Sequence, residues 1–220
     1  MQHEEKVMFK AIASLWRRPG FSAYDAAITR ERLIQSARLV IIDDEQPLLI
    51  EELRRVGFAV DHDHSGNDLS NYDNQIYDVA IIDYHGVGQR LGNAQGLDLL
   101  KHIRRVSPRT RIVAYTSRSL SAAESEFFRL SHAVLPKDLG LGDSLTLIEN
   151  EIHKAFEKNY LFEALMAKLA LSDAEERERM QAALIKALAK RNEGQFKDYV
   201  AKVVGQAAQK TVEIIITKMF

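Results

Sequence analysis

Between residues 38 and 157, short unbroken apolar runs alternate with longer stretches that carry apolar residues on one face only. Leu39–Ile42, Phe58–Asp61, Val79–Ile82, Arg111–Tyr115 and Ala133–Leu135 are the short runs. They are rich in β-branched residues and too short for helices, which suits strands buried on both faces of a sheet. Between the first two, Leu48, Leu49, Ile50, Leu53 and Val56 recur at helical spacing, with Pro47 as an early helical residue and Gly57 as the stop. A short weak helix is predicted near residues 67–74, then helices over Leu97–Val106, about Ser121–Ser131, and from near Asp143, where Leu145, Leu147, Ile148, Ile152 and Phe156 share an inner side. Gly86, Gly88, Gly92 and Gly96 mark a long loop after the third strand. Regular strand–helix alternation implies an α/β fold with a parallel sheet and crossover helices on its faces.

The flanks are helical in pattern. Val7, Met8, Ile12, Leu15 and Trp16 give residues 3–17 an apolar face, Arg17-Arg18-Pro19-Gly20 ends it, and Ser22 to Gln35 is a weaker second stretch. Such a hairpin, residues 1–37, is too small to hold a core and should pack on the body or on a partner. After residue 157 an apolar stripe of Leu161, Phe162, Leu165, Met166 and Leu169 suggests that the helix begun near Asp143 runs on. Ser172-Asp-Ala-Glu175 predicts a capping box for a helix over Asp173–Lys190, and Asn192-Glu193-Gly194 predicts its break. Another helix is expected from about Phe196, with Tyr199, Val200, Val203, Val204 and Ala207. Thr211–Phe220 is β-branched yet has no evident strand partner, so strand and helix stay open there. The expected division is a helical hairpin at 1–37, an α/β domain at 38–157 and a helical extension at 158–220.

A net charge of −1 over 220 residues gives no global case for nucleic acid or an anionic membrane. The basic residues of the extension are interleaved with acids, as on a solvated salt-bridged face, and no helix-turn-helix is evident. The absence of cysteine removes disulfides and thiolate metal sites. No apolar run approaches a membrane span, and the charged first residues lack a signal core, so a cytoplasmic protein is expected.

The chemistry lies where the strands end. Asp43, Asp44 and Glu45 follow the first strand, and Asp83 ends the third. Ligands of open α/β sheets collect outside the strands' carboxyl ends, and clustered acids there repel one another unless a cation or proton is shared. Two such strands side by side make an acidic pocket suited to a hard divalent cation. With Thr116 at the end of the fourth strand (Ile-Val-Ala-Tyr-Thr-Ser) and Lys137 after the fifth (Val-Leu-Pro-Lys), the chain resembles the receiver domains of two-component response regulators over about 120 residues. That resemblance implies a flavodoxin-like sheet in the order 2-1-3-4-5 and a protein that accepts a phosphoryl group rather than a turnover enzyme. Asp83 would be the nucleophile, becoming an acyl phosphate. Mg²⁺ would be held by Asp43, Asp44 and Asp83, with the backbone carbonyl of His85 added by the resemblance. Lys137 supplies a compact positive charge to Asp83 and then to phosphoryl oxygens, and Thr116 a hydroxyl donor. A sensor histidine kinase is the implied donor. Homodimerisation or an effector protein, through the C-terminal helices, is the expected output.

Plainer roles exist for each residue. Asp43 could cap the following helix, Thr116 could be an ordinary strand end, and His62 and His64 could bind a metal or simply mark a solvated strand end. Three positions depart from the family's habit. Asp138 stands where Pro usually follows the lysine, Val134 replaces the usual aromatic three positions before it, and the loop after Asp83 is longer. A DNA-binding regulator with a divergent effector and an adaptor that no longer switches are the alternative functions.

Overall fold

The computed structural model describes residues 20–25, 28–117, 122–204 and 209–220. The helix expected over residues 3–17 lies outside them, as does Ala207. Among the described residues, two short helices, α1 (Ser22–Asp25) and α2 (Arg30–Ser36), precede the first strand. The sheet elements follow in the expected alternation: β1 (Arg38–Ile42), α3 (Leu48–Val56), β2 (Ala59–Asp63), a 3₁₀ turn (Leu69–Gln75), β3 (Val79–Asp83), α4 (Gly96–Val106), β4 (Arg111–Thr116), α5 (Ala122–Leu130), β5 (Ala133–Pro136) and α6 (Leu141–Ala155). The five strands are all parallel, in the order β2-β1-β3-β4-β5. This is the flavodoxin-like doubly wound arrangement, whose order reverses at β1 and β3.

Side chains of successive strand residues enter opposite layers, as the pleat requires. Leu39, Ile41, Val79, Ile81 and Val113 pack with Leu49, Leu53, Ile148 and Ile152 on one face. Val40, Ile42, Ala80, Ile82 and Ile112 pack with Leu99, Leu100, Ile103 and Phe127 on the other. All ten of these strand residues are at most 1% exposed, which explains why the strands read as continuous apolar runs rather than as alternating ones.

The expected long helix from Asp143 onward is two helices. α6 ends at Ala155, and α7 (Lys158–Lys168) begins after Phe156 and Glu157, the latter in extended conformation. Phe156 belongs to the sheet-side core and Leu161 to a different one, so the chain must turn between them. α8 (Ala174–Ala189) is capped by Asp173, whose carboxylate accepts from the Glu176 N–H at 2.9 Å, so the expected Ser172 box is displaced by one residue. α9 (Glu193–Val204) begins at the expected break and includes Gly194. The open tail is helical, α10 (Gln209–Met219), because its β-branched residues Val212, Ile215 and Ile216 fall on one buried face. α7 to α10 share a core with Phe21, and α10 also packs on the 3₁₀ turn.

α10 is tied to the amino-terminal ends of the strands. Lys218 Nζ lies 2.9 Å from Asp78 Oδ2, also donates to the Ser36 carbonyl, and sits 4.8 Å from the centre of the Phe156 ring. Asp78 is fully buried, receives the Arg38 N–H at 2.8 Å and pairs with the buried Arg109. Beside it the buried Arg111 pairs with Glu151 of α6 at 2.6 Å. No helix among the described residues is long and apolar enough to cross a membrane.

Candidate functional site

At the opposite, carboxyl-terminal end of the sheet, β1 and β3 lie side by side with Ile42 paired to Ile82. That register puts Asp43 and Asp83, each one residue further on, at the same level. Asp43 is fully buried, Asp83 is 7% exposed and Asp44 faces solvent. Each of the three offers a carboxylate oxygen within 4.8 Å of the others.

Asp43 Oδ1 accepts the Glu45 N–H at 2.9 Å, folding the chain back locally. The N-cap position of α3 is Pro47, without a side-chain cap, so Asp43 is no helix cap and its second oxygen is turned to the pocket. His62 Nε2–H donates to the Asp43 main-chain carbonyl at 2.9 Å, and its ring packs against that of His64 with centres 3.9 Å apart and planes tilted by 53°. The histidine pair therefore braces the end of β1, and no cluster of three ligand-type side chains forms around it among the described residues.

Lys137 follows β5, whose Pro136 is level with Thr116 of β4, and its N–H donates to the Thr116 carbonyl at 2.6 Å. From there the side chain reaches back across the sheet end. Nζ donates to Asp83 Oδ2 at 2.6 Å and lies 2.8 Å from Asp43 Oδ2. The second contact is an ion pair off hydrogen-bond alignment, so Asp43 Oδ2 is a buried oxygen with no aligned donor. Nζ also sits 5.0 Å from the centre of the Tyr115 ring. Among the described residues no peptide bond is cis, in keeping with Asp138 following the lysine.

Burial pushes the Asp83 carboxyl above its ordinary range, because a charge is poorly solvated there. Lys137 offsets part of that rise, whereas the nearby Asp43 adds to it. For Lys137 itself, burial favours the neutral amine, but the attraction of Asp43 and Asp83 prevails and raises its pKa. Each group favours the charged form of the other.

Two glycines make room for the acids. Gly86 has φ of 76°, and a Cβ there would lie 2.3 Å from the Asp44 carboxylate. A Cβ on Gly96, the first residue of α4, would lie 2.3 Å from the Asp83 carbonyl. The long loop between them closes on itself, with Gly86 N–H donating to Gln95 Oε1 at 3.2 Å.

Asp43, Asp44, Asp83 and Lys137 are thus brought together, and Thr116 is linked to Lys137 through the backbone. His85 sits two residues past Asp83, exposed, with its ring edge-on to Tyr84 at 4.8 Å. His62, Gln95 and Tyr115 escaped the sequence reading as supports of the site. Only the position of Tyr115, next to Thr116, hinted at a role. A set of three carboxylates with one unaligned buried oxygen fits a hard divalent cation better than a soft one.

No protein-family model matches the chain, and no curated protein sequence matches it. Among solved structures, the chain is similar to a CheY-like response regulator receiver domain protein from Methanospirillum hungatei JF-1, at 18% identity over 54% of this chain and 95% of that one, with a TM-score of 0.46. It is similar to the apo receiver domain of nitrogen regulatory protein C at 25% identity, over 55% and 97% of the two chains, with a TM-score of 0.46. The response regulator protein TrrA from Thermotoga maritima, in complex with Mg²⁺ and BeF, aligns at 22% identity over 52% and 98%, with a TM-score of 0.44.

Proposed function

We propose that this protein is a response regulator whose receiver unit, residues 38–157, takes a phosphoryl group on Asp83 from a sensor histidine kinase in the cytoplasm. The observation that carries this is the bridge formed by Lys137, 2.6 Å from Asp83 and 2.8 Å from Asp43, at the carboxyl end of a 2-1-3-4-5 sheet. A carboxylate attacks phosphorus in its ionised form, and Lys137 favours that form against the opposing effect of burial. As an Asp83 oxygen bonds to phosphorus and the phosphorus–nitrogen bond to the kinase histidine breaks, leaving the imidazole on the kinase, the Lys137 ammonium would share the charge of the incoming oxygens. Thr116, at the end of β4, would donate its hydroxyl to one of them. Asp43, Asp44, Asp83 and the His85 carbonyl would hold Mg²⁺, which when bound supplies further neutralisation of phosphoryl oxygen charge.

The output follows from the flanks. The helical extension, residues 158–220, forms a second core together with Phe21, and its helices are the proposed contact for a protein partner or a second copy. A receiver that binds partners without switching is a second reading. Val134 favours it, lying on β5 at 40% exposure where an aromatic would be needed to follow Thr116.

The test is labelling of the full chain with acetyl phosphate, or binding of beryllofluoride, each with and without Mg²⁺. Both should require the metal, and Asp83→Asn should abolish both. Undiminished labelling of Asp83→Asn would defeat the proposal.

A further inference from the structure

A cavity of about 780 Å³ opens between the short helices α1 and α2 and the C-terminal bundle. It lies toward the amino ends of the strands, away from the acidic pocket: Met219 in its wall follows Lys218, which touches Asp78 and Ser36. Ile28, Leu188 and Met219 give it apolar walls, and Arg32, Lys158 and Arg191 bring three cations to it.

Lys158 is the unusual member. It is 4% exposed, and its ammonium donates one long bond, 3.5 Å to the Phe156 carbonyl. Asp25 is close, but its Oδ1 is taken by the Lys158 main-chain N–H at 2.8 Å. The other buried cations of the described residues each touch a carboxylate, Arg109 on Asp78 and Arg111 on Glu151. The partly buried Lys137 and Lys218 do the same. Buried charges in proteins are paired, because removing an ion from water costs more than an unpaired site returns. Arg32 and Arg191 have no carboxylate in salt-bridge contact among the described residues either. Glu193, the acid in the wall, is already engaged by Lys197 at 2.6 Å and by Thr217 at 2.7 Å. Arg191 also holds a left-handed backbone, φ 49°, at the end of α8, where glycine is the usual residue. Burial holds the Lys158 ammonium below the ordinary lysine range; Asp25 counters this, and Arg32 adds to the lowering.

We propose that this cavity binds a small organic carboxylate with an apolar body, its charge held by Lys158 and Arg32 and its body lying against Ile28, Leu188 and Met219. The site is separate from the phosphoryl chemistry, so it does not rest on the response-regulator assignment.

Calorimetric titration of the full chain with decanoate tests it, with decanol as the uncharged probe of the same body. Decanoate should bind saturably at one site, at least about tenfold more tightly than decanol. Lys158→Met should weaken decanoate by about tenfold or more, whereas Lys158→Arg should stay within roughly threefold of the parent. Lys158→Met should also melt no lower than the parent, since it deletes a buried charge with no carboxylate in salt-bridge contact among the described residues. If that variant does not fold, Arg32→Gln, at a less buried position, takes its place and should weaken decanoate in the same direction. Equal affinity for decanoate and decanol, no saturable heat, parental binding by the variant, or a lower melting temperature of folded Lys158→Met would each overturn the proposal.

Discussion

Three carboxylates face one ammonium in the pocket, and Asp83 carries the strain of that imbalance because it is buried as well as crowded. Its folded pKa is raised above the unfolded value, chiefly by burial. Below the ordinary carboxylate pKa both states are neutral and nothing is lost. As pH rises through the window from that value to the raised one, the folded state must ionise a group it disfavours, and stability falls. Asp83→Asn escapes this. The melting temperature of Asp83→Asn relative to the parent, followed by circular dichroism, should therefore climb as pH rises above the ordinary carboxylate range. A difference that stays flat would mean that Lys137 fully compensates the burial. The acids, Thr116 and Lys137 were legible as residue types at strand ends. The His62 bond to the Asp43 carbonyl was not, because it depends on β2 lying beside β1.

At the scale of elements, the end of β2 shows how one acid organises a loop. Asp63 accepts the Ser65 and Gly66 N–H groups at 2.8 and 2.9 Å and the Tyr72 hydroxyl at 2.6 Å, joining β2 to the 3₁₀ turn. Burial would raise its pKa, but these donors outweigh burial and lower it. A depressed carboxylate contributes stability that is present above the unfolded pKa and is lost as pH falls through the folded one. Tyr72→Phe deletes a hydrogen bond to a charged group and should cost about 1.5–3 kcal/mol near neutral pH. The loss should shrink in acid, where Asp63 is protonated, and urea unfolding at both pH values checks it. The strands and the helices of the α/β part were readable from periodicity. The break at Phe156–Glu157 was not, since the apolar stripe continues through it and only the choice between two cores ends the helix.

On the scale of the whole molecule, α10 closes the chain onto the end of the sheet away from the pocket. Lys218 adds a second cation to the buried Asp78, which Arg109 already neutralises. Lys218→Met should therefore cost about 1.5–3 kcal/mol, the worth of a charged hydrogen bond, rather than the larger penalty of stranding a buried charge. Denaturant unfolding measures this, and a loss near zero would show that α10 is held by its apolar face alone. Under the proposed function, a change at Asp83 would have to cross the length of the sheet to reach α10, whereas β5 and α6 lie beside Lys137.

By itself the order of residues determined the alternation of buried runs and amphipathic stretches, and with it the parallel sheet and the acids, threonine and lysine at its carboxyl edge. Those are local properties: a run buried on both faces and a polar residue at its end are written in consecutive positions. Tertiary structure alone decided which distant groups meet. Tyr115 under Lys137, Gln95 closing the loop onto Gly86, Lys218 on Asp78 and the cations gathered around Lys158 each join segments whose spacing along the chain carries no period. It also decided that the tail is helical over Gln209–Met219, because packing against α7 and the 3₁₀ turn buries one helical face.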